Sequence, residues 1–80
     1  MKFNNKKDYY SYLDSLKNED KIEWTKRIVN TEMEVLAIPV PELKKIAKEI
    51  MKDDYLSFLD MEMLDNYEST IIYGSIINNL

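Results

Sequence analysis

The sequence predicts an all-α fold of about four to five short helices in a single domain spanning residues 1–80. Apolar residues recur at helical spacing along the whole chain. One Gly, two Pro and no Ser-rich stretch leave few places for the turns that an all-β chain needs. An apolar content of 45% and a charged content of 32% suit a globular unit rather than a disordered one. A chain of this size buries only about 60–65% of the surface it exposes when unfolded, so its core is small.

The first helix is expected over residues 5–17, where Tyr9, Tyr12, Leu13 and Leu16 fall at i, i+3, i+4 and i+7, with Asn4 or Asn5 as N-cap. A polar break, Asn18-Glu19-Asp20, precedes a second helix at about 20–30, capped by Asp20. Trp24 and Ile28 lie one turn apart on it, and Trp24 reads as a half-buried anchor. These two helices are expected to pair as an antiparallel hairpin. Residues 31–40 are the one clear non-helical connection. There Pro39 and Pro41 push Ile38 and Val40 toward extended geometry. Pro41 suits the first turn of a third helix, 41–52, because its missing N–H is not needed there. Leu43, Ile46, Ala47, Ile50 and Met51 form its core stripe, and Lys44, Lys48 and Lys52 stack on another face with Lys45 adjacent. Asp53-Asp54 ends that helix and offers a cap to a short one, Tyr55–Asp60. The last segment, 62–80, reads as a longer helix whose Leu64, Tyr67, Ile71, Ile72, Tyr73, Ile76, Ile77 and Leu80 are apolar on nearly every side. Such a helix has to be covered on nearly every side. We therefore expect an interaction surface at Ile72, Tyr73, Ile76, Ile77 and Leu80, met by later sequence or by a second copy of the chain.

Cysteine and histidine are absent. This removes thiolate metal sites, a Cys nucleophile and the commonest acid/base group and metal ligand. No Gly-rich phosphate loop, zinc spacing or EF-hand loop is present, and the adjacent carboxylates Glu19/Asp20 and Asp53/Asp54 do not face one another as a catalytic pair would. No metal or cofactor is expected. No apolar run approaches the ~18–20 residues of a membrane span, and no apolar leader follows Met1, so a cytoplasmic location is expected. The net charge of −4 is uneven: residues 1–30 carry seven Lys/Arg against five Asp/Glu, whereas residues 54–80 carry five Asp/Glu and no Lys/Arg. Nucleic-acid binding therefore requires a local basic stripe. Lys44, Lys45 and Lys48 supply the candidate, with Lys26 and Arg27 as weaker contacts.

Residues 33–50, MEVLAIPVPELKKIAKEI, are the most distinctive stretch. Trp24 stands in the helix before it, Leu36 and Ile38 flank Ala37, and Pro41, Leu43, Lys45, Ile46, Ala47 and Lys48 follow. Together with Asn66-Tyr67-Glu68 and Gly74, this stretch resembles the N-terminal part of the AlkD-like DNA alkylation repair proteins, a family of alkylpurine DNA glycosylases. The resemblance runs through most of residues 20–80. Three positions depart from the family pattern: Ala37 stands for its Gly, Pro39 for its loop Arg, and Lys44 for the Arg of its third helix. A left-handed backbone at Ala37 would be strained, and Lys44 keeps the charge without the bidentate geometry of Arg.

The resemblance implies antiparallel helix pairs of HEAT-like (ARM-type) repeat architecture, with residues 1–80 as the N-terminal repeats of a longer solenoid. Its implied partner is duplex DNA, bound in the context of the longer protein. Because the family's excision residues lie in later repeats, it also implies that no catalytic residue falls within these eighty positions. The chain would then contribute scaffold and backbone contacts, the phosphates being met by Lys44, Lys45, Lys48, Lys26 and Arg27. The alternative expectation is a helical interaction module that oligomerises through helix 62–80.

Overall fold

Asn5 opens the first helix, its side chain accepting the Asp8 N–H at 2.9 Å and so satisfying a donor that the helix start leaves free. The computed structural model describes residues 1–80, folded into five α-helices without a β-strand. They are α1 (Lys6–Leu16), α2 (Ile22–Val29), α3 (Val40–Met51), α4 (Tyr55–Asp60) and α5 (Tyr67–Asn78). A single 3-10 turn, Glu19–Lys21, leads into α2 in place of an Asp20 cap. Asn30 closes α2 in the left-handed conformation, its N–H bonded to the Lys26 carbonyl. Asp54 caps α4 through the Ser57 N–H, and Asn66 caps α5 through the Ser69 N–H at 2.8 Å.

α3 and α5 form the centre of the molecule and run side by side in the same direction. The segment before α3 meets the start of α5 through a parallel bridge between Glu34 and Asn66, and Lys44 and Lys48 share a groove with Ser75, Asn78 and Asn79 farther along. Leu43, Ile46, Ala47 and Ile50 of α3 face Ile72, Tyr73 and Ile76 of α5. Tyr9 and Leu13 close one side from α1, and Phe58 and Met63 close another. An aromatic chain stitches these elements together: Phe3 to Tyr9 at 5.2 Å, Tyr9 to Phe58 at 5.2 Å, and Phe58 to Tyr73 at 4.8 Å between ring centroids.

Two expectations fail for one physical reason. Trp24 is 62% exposed rather than half-buried, and α2 contributes no buried residue, so no packed hairpin of α1 and α2 forms. The extended segment Val35-Leu36-Ala37-Ile38, four consecutive buried residues, occupies the inner layer instead. α2 rests on its outer side.

The C-terminal helix is also shorter than the expected 62–80. Residues 61–66 form a turn with Glu62 in the left-handed region. Met63 plugs the core there, its N–H held at 2.9 Å by the Tyr73 hydroxyl, which in turn donates to the Phe58 carbonyl at 2.9 Å. A helix through these residues would pull Met63 out of the core. No helix is long and apolar enough to cross a membrane.

Candidate nucleic-acid interface

Pro39 sets the direction of α3, with φ −58° and ψ 142°, and the helix begins one residue before the expected start. Burial of Leu43, Ile46, Ala47 and Ile50 fixes the rotation of the helix about its axis. Lys44, Lys45 and Lys48 are thereby turned to solvent, and none of them forms an ion pair. Lys52, the fourth lysine of the face, is tied to Glu49 at 3.0 Å.

Lys44 and Lys48 line a groove of about 240 Å³ between α3 and α5, with Ser75, Asn78 and Asn79 on its other wall and no acidic residue in its lining. Two unpaired ammonium groups, a hydroxyl and side-chain amides make it a donor-rich, positively charged cleft of the kind that can hold phosphate oxygens. Lys45 lies outside the groove lining. Lys26 and Arg27 are exposed on α2, a different element from the groove, and are also unpaired.

The connection between α2 and α3 is held from below by one carboxylate. Glu68, only 1% exposed, accepts the Leu36 N–H at Oε1 and the Ala37 N–H at Oε2, both at 2.9 Å. Ala37 carries φ 59°, a conformation that costs an L-residue about 1–2 kcal/mol. The clamp therefore holds a strained turn. Beside it, Tyr9 and Ser69 share a buried hydrogen bond of 2.6 Å, and burial raises the Tyr9 phenol above its ordinary value.

The expected interaction surface on the last helix is corrected by these contacts. Ile72 and Ile76 are fully buried and Tyr73 nearly so, because α3, α1 and the Met63 turn already cover them. Only Ile77 and Leu80 of that set reach solvent. Helix α5 is apolar on most sides because it is central within this chain.

Sequence reasoning gave Glu68 no chemical role. The readable signal was its position at i−4 and i−8 from Ile72 and Ile76, which places a carboxylate in line with the most buried face of the helix. A second cleft, of about 460 Å³, lies between α1 and the Glu34–Leu36 segment and is acidic, with Asp14, Glu34 and Asp65 in its wall. No three acidic side chains gather closely enough to hold a metal ion. Comparisons with protein-family models, curated proteins and solved structures return no match.

Proposed function

We propose that this chain is an N-terminal HEAT-like repeat segment of a DNA alkylation repair protein of the alkylpurine glycosylase type, contributing scaffold and DNA-backbone binding without catalysing excision by itself. What supports the reading above all is the meeting of Ala37 and Glu68. The position where the resembled family has Gly adopts the left-handed backbone that Gly favours, and it is clamped by Glu68 of the Asn66-Tyr67-Glu68 stretch that shares in the resemblance. The two separate stretches that carry the resemblance thus lie in one hydrogen-bonded unit.

The parallel α3 and α5, with the short α4 between them, fit a stack in which equivalent helices of successive repeats lie alongside one another. Phosphates of duplex DNA would bind at Lys44 and Lys48 in the α3–α5 groove, with Lys45, and Lys26 and Arg27 on α2, adding long-range attraction. The reading carries a cytoplasmic location and needs no cofactor.

Fluorescence anisotropy of a labelled duplex at about 50 mM salt tests it, because phosphate contacts are strongest at low ionic strength. Binding should weaken steeply as salt rises, and the double variant Lys44→Glu/Lys48→Glu should abolish it. Absence of binding at low salt, or binding unchanged in that variant, overturns the reading.

A further inference from the structure

An eight-residue helix is marginal in water unless a neighbour covers one of its faces. α2 is covered only in part: Ile22, Thr25 and Val29 are half-buried, none of its residues is fully buried, and Trp24 and Ile28, one turn apart on one face, are 62% and 61% exposed. Trp24 and the exposed Val40 line one cleft of about 280 Å³ whose lining is mostly apolar. Residues 21–30 are basic, with Lys21, Lys26 and Arg27 against Glu23 alone.

The remaining large exposed apolar residues, Leu56, Leu64, Ile77 and Leu80, all fall in residues 54–80, which contain no Lys or Arg. The first two sit on the α4 knuckle, residues 56–65, together with exposed Asp60, Glu62 and Asp65. Lys21 and Arg27, each three residues from Trp24, flank the apolar pair on α2, whereas Leu56 and Leu64 lie among carboxylates.

We propose that the α2 face of one copy, centred on Trp24 and Ile28, docks on the α4 knuckle of a second copy, with Lys21 and Arg27 set against Asp60 and Glu62. The acid–base match selects a second copy over other occupants. A nucleic acid would meet Lys21 and Arg27 but leave Trp24 and Ile28 uncovered, whereas the knuckle offers apolar side chains and carboxylates together. An area limited to one short helix belongs to the weak, transient class of association. The inference does not rest on the DNA reading: Arg27 is shared between the two, but the groove of Lys44 and Lys48 that carries the DNA reading lies between α3 and α5.

Sedimentation velocity on the full chain, from about 5 to about 500 µM, reads the association in the range expected for small interfaces. Trp24, the sole tryptophan, reports on its own burial by fluorescence. The mass average should rise with concentration and the Trp24 emission should shift to the blue in step. Lys21→Glu/Arg27→Glu and, separately, Asp60→Lys/Glu62→Lys should each stay monomeric with unchanged circular dichroism. An equimolar mixture of the two should regain association, since it restores opposite charges at both contacts. A wild-type chain that is monomeric throughout, with Trp24 emission characteristic of full solvation, overturns the proposal. So does a mixture of folded variants that fails to associate, or a wild-type association that survives either double substitution.

Discussion

Removing the Glu68 carboxylate is the most informative single perturbation of this molecule. In Glu68→Ala the N–H groups of Leu36 and Ala37, both on buried residues, lose their acceptor. Each unsatisfied buried donor costs about 1–3 kcal/mol, so the pair costs about 4 kcal/mol. For eighty residues the whole folding free energy is about 4–12 kcal/mol, so Glu68→Ala should be close to unfolded or fully so. Glu68→Gln keeps one acceptor oxygen but turns its NH₂ toward the other N–H, and should cost about 2 kcal/mol. Urea denaturation followed by circular dichroism measures both through the midpoint, with the slope unchanged. Ala37→Gly relieves the left-handed strain and should stabilise the wild-type chain by about 0.5–1 kcal/mol, less than the strain itself because Gly loses more backbone entropy on folding. In the Glu68→Gln background that gain should shrink, since the loosened turn no longer holds residue 37 at positive φ. A Glu68→Ala protein destabilised by less than about 1 kcal/mol, or fully additive effects at 37 and 68, would refute the clamp.

Ile72→Ala should cost about 3 kcal/mol because the side chain is fully buried, whereas Ile77→Ala should fall within about 0.5 kcal/mol of wild type, and thermal melts distinguish the two. Asn66→Ala removes the α5 cap from the Ser69 N–H and should lower stability by about 1–2 kcal/mol, with Asn66→Asp recovering most of the loss in urea titrations. The Tyr10 phenol is pushed up to about 12 from its ordinary 10.0, first by burial and then by its hydrogen bond to the Asp65 carboxylate, and burial also raises Tyr9. A phenol whose folded value is raised stabilises the fold fully below pH 10 and loses that contribution as pH rises toward 12. Stability measured by urea midpoints should therefore fall across that window, and Tyr10→Phe should flatten part of the fall.

The helices were legible where a single periodicity met a single partner. α3 matches its expected stripe of Leu43, Ile46, Ala47 and Ile50 because all four bury against one neighbour, and α1 and α4 follow from the caps Asn5 and Asp54. Trp24 and α2 misled because amphipathicity states which face could be covered, not whether a layer is left to cover it. Residues 35–38, read only as a connection, fill that layer as extended chain. The turn at 61–66 was hidden because Met63 and Leu64 continue an apolar run. Asn66, three residues before Ser69, marked the true helix start. The lysines of α3 could be placed on an outer face from sequence, but their sharing a groove with Ser75, Asn78 and Asn79 depends on the parallel alignment of α3 and α5, a tertiary fact that local spacing does not encode.

That alignment also explains why a carboxylate is buried here at all. An extended segment lying against the first turn of α5 brings its own N–H groups to a helix start already rich in unpaired donors. Backbone alone cannot satisfy two sets of donors. Asn66, the cap of α5, accepts from the helix side and Glu68, in its first turn, accepts from the segment side, so two side chains at the start of α5 satisfy both sets of donors. The arrangement fixes where α3 begins, and with it the direction in which Lys44 and Lys48 project. A loosened clamp should therefore shift the α3 lysines as well as lower stability. Glu68→Gln, studied below its melting point, should weaken duplex binding in the anisotropy assay although it leaves every cation in place.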